Sequence, residues 1–156
     1  MWDGLKKGKI CVKQHDDYDC GAASLCAIAA WYGLYLPLSN VKKACGCTKD
    51  GVTIKGIIDG ARTLGLEAKA LKSPQKDIDR LVELQTPFIA HLHKDDGQLH
   101  FVVVIKVNPH KVEIMDPALG ERGNYTTNKF RGEWSGYLIV FSPGKNFHKG
   151  NYRVPF

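Results

Sequence analysis

The chain has 156 residues, enough for one domain with a sizeable core. Its hydrophobic content of 44% and charged content of 24% are ordinary for a soluble globular protein and argue against a disordered chain. The formal charge of +6 favours an acidic partner or anionic surface, but the basic residues are scattered in short pairs such as "LKKGK" and "VKKAC", so nucleic-acid binding is not expected.

The N-terminus carries no signal peptide with a cleavage site. Five cysteines are present: Cys11, Cys20, Cys26, Cys45 and Cys47. An odd number without a secretory signal suits a reducing cytosol and thiols that are not paired. An acid-rich loop, Gln14 to Asp19, then runs into an uncharged segment from Cys20 to Val41. Gly33 and Pro37 interrupt that segment, and its apolar part stops near Leu36, short of the roughly 20 residues a membrane span needs. A buried helix is expected instead. Asp19 is its N-cap, Ala22, Ala23, Leu25, Ala27, Ala29 and Ala30 supply helix propensity, and Gly33 ends it.

A second helix is expected after Ser39, ending near Cys45. Cys45-Gly46-Cys47 lacks the two-residue spacer and partner pair of common zinc sites, so neither metal nor cofactor is expected. A third helix follows Thr53, with Ile54, Ile57, Ile58, Ala61 and Leu64 on one face, and stops at Gly65. A short fourth, "DIDRLVEL", comes after Pro74. The period then changes. "PFIAHLH", "HFVVVIKV", "KVEIMD" and "GYLIVF" are apolar or alternating runs separated by turn residues, and read as an antiparallel sheet. Helices first and strands second imply an α+β domain in two layers, with a helical layer packed on a C-terminal antiparallel sheet. The domain is placed at 1–142, and 143–156 reads as a tail or linker.

Cys20 is the first residue after the Asp19 cap. Its sulfur would lie at the positive end of the helix dipole, which favours thiolate, although the charge of Asp19 opposes this and a histidine partner is needed. Gly21 would clear space for a substrate backbone. Gln14 could present an amide donor which, with the Cys20 N–H, would stabilise an oxyanion. A lone cysteine is more often a small buried hydrophobe. Of six histidines, His100 opens one strand and Asp116 closes the next. If Val107 faces Lys111 across a tight turn at Asn108-Pro109, Val102 faces Asp116, and His100 lies diagonally beside it on the same face. The face of Phe101, Val103, Ile105 and Val107 is then core, with His100 and Lys106 on the other. His91 and His93 have no acid placed beside them by a simple hairpin. Cys20, His100, Asp116 and Gln14 then form nucleophile, base, orienter and oxyanion donor, in the chain order of papain-like enzymes.

The stretch "QHDDYDCGAASL" resembles the signature of the bacteriocin-processing cysteine peptidases, matched by Gln14, Asp16, Asp19, Cys20, Gly21, Ala23 and Leu25. His100-Phe101-Val102 and Asp116-Pro117 resemble the second and third blocks of that family, and "GVTIKGIIDGARTLGLEAKAL" its helix-turn-strand segment. The likeness runs over roughly residues 10 to 142. Ser24 departs from it, standing where another cysteine is frequent.

The resemblance implies a papain-like cysteine peptidase that removes double-glycine leaders from ribosomally made precursor peptides of bacteriocin or lanthipeptide type. It implies a leader that binds as an amphipathic helix, and a domain on the cytoplasmic side of the membrane. It also implies partner transmembrane and ATPase domains of an ABC transporter. The motifs assign no leader-contacting residues. A docking module that binds the leader without cutting it is the alternative, and a transglutaminase-like acyl-transfer enzyme a more distant one; the intact Cys20 and its spacing from Gln14 favour the peptidase.

Overall fold

A computed structural model describes residues 10–153. The expectation about a signal peptide concerns residues 1–9 and lies outside them. In chain order the elements are α1 Cys20–Trp31, β1 Leu34–Tyr35, α2 Leu38–Cys45, α3 Ile54–Thr63 and β2 Leu66–Lys72. There follow α4 Ile78–Val82, β3 Phe88–His93, β4 Leu99–Val107, β5 Lys111–Asp116, β6 Glu121–Thr126, α5 Thr127–Glu133, β7 Trp134–Pro143 and β8 Gly150–Asn151. Among the described residues no helix is long and apolar enough to cross a membrane.

Every residue of α1 from Cys20 to Ala30 is buried. A helix that is apolar all round must be covered all round. Here α2 and α3 cover one side and the sheet the other, and the many alanines let those neighbours approach closely. The expected starts of the next helices hold to within two residues. At α3 the Thr53 hydroxyl accepts the Gly56 N–H at 2.9 Å, and at α4 the Asp77 carboxylate accepts the Asp79 N–H at 3.1 Å. Both are side-chain N-caps that satisfy otherwise orphaned donors.

Six strands form one antiparallel sheet in the order β2-β7-β3-β4-β5-β6. Ile89, Phe101, Val103 and Ile139 pack toward α1. The opposite face carries a second core, with Val102, Val104, Val107 and Leu138 under Leu81 of α4 and Phe130 of α5. Phe130 stacks on the fully buried Trp134 at 5.6 Å between ring centroids. The layer of α4 and α5 over this face was not expected, since "TNKFRGE" has no helical apolar stripe.

Two details of the β4–β5 hairpin also differ from expectation. Val107 lies opposite Val112, not Lys111, and an extra residue on β4 at Ile105 shifts the register. Val107 therefore leaves the face of Phe101 and Val103 and joins the other core. The bulge absorbs the one-residue error at the turn. Beyond it Val103 pairs with Met115, which is the register expected near Asp116.

The tail returns to the domain. Gly150 and Asn151 pair in parallel with Leu34 and Tyr35, the Phe147 ring meets Tyr32 edge-on at 6.4 Å, and the Arg153 side chain donates to the Leu36 carbonyl at 3.3 Å.

Candidate active site

Cys20 occupies the first position of α1, where backbone N–H groups lack intrahelical acceptors and the helix dipole is positive. Asp19 holds the N-cap position but its side chain makes no capping bond. The fully buried carboxylate turns back into the loop. It accepts the N–H groups of Asp16 at 2.9 Å and His15 at 3.2 Å, and pairs with Lys42 Nζ at 3.0 Å. Burial opposes its ionisation, yet Lys42 and the two backbone donors together hold its pKa below the ordinary carboxylate value. Asp19 therefore shapes the Gln14–Asp19 loop, and Lys42 offsets the charge that would have opposed a thiolate.

Gly21 does not clear a path for substrate. A β-carbon there would meet Val52 Cβ at 3.2 Å, and Ile57 Cδ1 and Phe101 Cδ2 at 3.3 Å. Its bare backbone lets the first turn of α1 seat against α3 and β4, which fixes where Cys20 points.

The hairpin brings His100 Nε2 to 2.6 Å from Asp116 Oδ1. Asp116 Oδ1 also accepts the Ala118 N–H at 3.0 Å. His100 is 6% exposed. Its other neighbour is the Cys20 sulfur, and with Nε2 taken by Asp116 the ring nitrogen left for the thiol is Nδ1. Burial alone would lower the His100 pKa. The hydrogen bonds and charges of Asp116 and Cys20 overcome it and push the pKa up from 6.5 to about 9. Burial likewise opposes ionised Asp116, but His100, the Ala118 N–H and Lys94 hold its pKa below the ordinary value.

The pH consequences have opposite signs. The contribution of protonated His100 to stability is complete below pH 6.5 and fades as pH rises through about 9. That of ionised Asp116 is complete above about pH 3.8 and fades as pH falls through its lowered folded value. Asp116→Asn removes the partner that keeps His100 charged. We expect kcat/KM to fall by about 10–100-fold and its alkaline limb to move to lower pH. A pH–rate profile checks this; a limb that stays in place would show that Asp116 does not set the imidazole's charge.

Gln14 is tied to the same point, since its N–H donates to the Pro117 carbonyl at 2.8 Å. Its side-chain Oε1 is buried without a hydrogen-bond partner among the described residues. The fold thus anchors the Gln14 backbone beside the loop that follows Asp116 and leaves its side-chain oxygen without a partner among the described residues. A groove of about 500 Å³ opens beside Cys20, walled by Tyr18, Val52, Ile54, His91, Leu99 and Phe101.

None of the five cysteines is in a disulfide. Cys45 Sγ fills the space left by the missing side chain of Gly60, and burial, with the charges of Cys47 and Cys26 adding to it, pushes its pKa up to about 12. Cys47 Sγ instead lies 3.6 Å from the Tyr18 carbonyl. The two sulfurs thus serve different neighbours, and no cluster of three metal-ligating side chains occurs among the described residues.

Sequence reasoning missed Lys42, Lys94 and the 49–54 wall of the groove. All act across long sequence separations with no local pattern. His91 was set aside for lack of an acid, yet strand alternation could have placed it on the Cys20 side, directly paired with Phe101.

Known proteins share this sequence pattern and this fold. The sequence model of the peptidase C39 family matches residues 9–146. The transport/processing ATP-binding protein ComA of Streptococcus pneumoniae is 32% identical over 135 residues, covering 86% of this chain and 19% of ComA. The lactococcin-G-processing and transport ATP-binding protein LagD of Lactococcus lactis is 30% identical over 146 residues, covering 94% of this chain and 20% of LagD. The chain thus spans about a fifth of the length of these relatives. The crystal structure of the peptidase domain of Streptococcus ComA superposes with a TM-score of 0.77 at 29% identity, covering 85% of this chain and 96% of that domain. A double glycine motif protease from an AMS/PCAT transporter, in complex with the leader peptide, superposes with a TM-score of 0.74 at 30% identity, covering 85% and 89%. A match over this much of the chain places it in the family: it is a cysteine peptidase domain of the peptidase C39 family.

Proposed function

We propose that this domain removes double-glycine leaders from ribosomally made precursor peptides, with Cys20 as nucleophile. The observation that carries the reading is the 2.6 Å His100–Asp116 bond with its imidazole against Cys20 at a helix mouth. The Cys20 thiolate attacks the scissile carbonyl, and the developing oxyanion takes hydrogen bonds from the Cys20 N–H and the Gln14 amide. The His100 imidazolium gives its proton to the leaving amine. Water, deprotonated by the now neutral imidazole, then hydrolyses the thioester.

The likeness to ComA, to LagD and to a protease caught with a leader peptide supports this substrate class. It also supports a place on the cytoplasmic side of a membrane, with transmembrane and ATPase domains of an ABC transporter as partners. The place of Pro143 in β7 and the packing of residues 144–153 against β1 and its surroundings support counting 143–153 with the domain placed at 1–142. The test is mass spectrometry of a precursor incubated with the domain. One cut after the Gly-Gly pair is expected. Binding without cutting would support the docking-module alternative.

Gln14→Ala should reduce turnover by about 10²-fold with little change in precursor affinity, the effect of one lost oxyanion donor. Full activity in single-turnover assays would remove Gln14 from the site.

A further inference from the structure

We propose that His91 is a substrate-binding residue of this site, its Nε2–H donating to a backbone carbonyl of the peptide in the groove beside Cys20. The inference rests on the peptidase reading above and adds a residue to it.

The placement comes from an irregularity in the sheet. Ala90 pairs with Leu138 and Leu92 with Trp134, so three residues, 135–137, stand opposite His91 alone. Gly136 takes a φ of +96°, a conformation that side chains rarely allow. Its carbonyl accepts the Ser73 N–H at 2.8 Å, which pins the bulge. Bulges re-aim side chains, and this one sets Ser135 Oγ at 3.0 Å from His91 Nδ1.

The tautomer follows from the same contacts. Ser135 Oγ already accepts the Tyr137 N–H at 3.2 Å. Its own proton has no other acceptor among the described residues, so the hydroxyl is satisfied by donating to Nδ1, which leaves the imidazole proton on Nε2. No described residue takes up Nε2. Burial, together with the charge of His93, lowers the His91 pKa and keeps the ring neutral. The ring is held by Phe101 at 5.1 Å, its partner across the strands, and by His93 at 5.3 Å. Phe101 in turn sits where a β-carbon on Gly21 would go, next to Cys20. His91 and Cys20 therefore wall the same groove through one rigid contact chain. A neutral, fixed, single donor suits a substrate segment whose glycines offer only backbone carbonyls and N–H groups.

The test compares two alkylating reagents at Cys20, followed by mass spectrometry of the Cys20 peptide. One is a peptidyl-Gly-Gly chloromethyl ketone, which must lie in the groove; the other is iodoacetamide, which need not. His91→Phe keeps the ring packing and removes the donor; His91→Gln restores a donor. We expect His91→Phe to slow the peptidyl reagent by about tenfold, as one lost hydrogen bond would. Its iodoacetamide rate and melting temperature should stay unchanged, and His91→Gln should recover part of the loss. An unchanged peptidyl rate, an equal fall with both reagents, or no recovery by His91→Gln would overturn the proposal. A different outcome, in which the wild-type domain reacts no faster with the peptidyl reagent than with iodoacetamide, would count against Gly-Gly recognition itself.

Discussion

Replacing Cys20 by alanine is expected to lower precursor cleavage by more than about 10³-fold while leaving precursor affinity nearly unchanged. The two halves of this expectation have separate physical grounds. In the proposed mechanism chemistry depends on one sulfur at the mouth of α1, beside an imidazole that Asp116 keeps charged. Affinity depends on contacts spread over the rest of the precursor. The substitution itself is gentle, since alanine is the strongest helix former and the lost atom is small. The position is buried, at 9% exposure, so the fold loses the packing of one atom and no more. His100→Ala should cost nearly as much, and the double variant scarcely more, because nucleophile and base act as one unit. Single-turnover cleavage and equilibrium binding of the same precursor check both halves. Residual activity within about tenfold of wild type, a barrier change of only ~1.4 kcal/mol, would remove Cys20 as nucleophile.

How much of this was legible in the sequence depended on whether the signal was local. The helix α1 was readable because every residue from Cys20 to Ala30 is small or apolar, and such a run has to be buried. The His100–Asp116 pair was readable because a hairpin turns sequence distance into register. The turn differs from the expected one by one residue, and the bulge at Ile105 restores the register before it reaches Asp116. Asp19 shows the limit of such reading. Its position predicts a cap, but burial and the pull of Lys42 turn its carboxylate the other way. Gly21 was assigned to the substrate because its neighbour is Cys20, whereas Phe101 and Ile57, far off in sequence, fill the space. Strand β6 is not legible because none of its six residues is buried, and α5 because only Phe130 and Glu133 of its seven residues are buried. A pattern of alternating burial has to exist before it can be read.

The same division between local chemistry and distributed contact governs how substrate should be recognised. A Gly-Gly pair has no side chains, so it adds almost nothing to binding. Its value is geometric. In the proposed mechanism the scissile carbonyl must reach a sulfur that is only 9% exposed, beside a groove walled by Phe101, Leu99, Val52 and His91. A β-carbon on either glycine would hold the backbone away from that sulfur, and misplacement by even about 1 Å costs ~10²-fold in rate. Affinity has to come from elsewhere, and the apolar face of a helical leader is the natural source. Each buried leucine-sized side chain contributes ~1.5–3 kcal/mol before ordering costs are subtracted. Two separable effects are therefore expected. Valine in place of either glycine should cut kcat by about 10²-fold or more with KM little changed, since docking survives while the attack geometry is lost. A polar residue in place of an apolar leader anchor should chiefly raise KM, by ~10-fold or more, and spare kcat. Steady-state kinetics on the full precursor and on a short peptide spanning the cut site separate the two. A short peptide cleaved as efficiently as the precursor would mean that the leader contributes nothing, and that the groove beside Cys20 alone selects small residues.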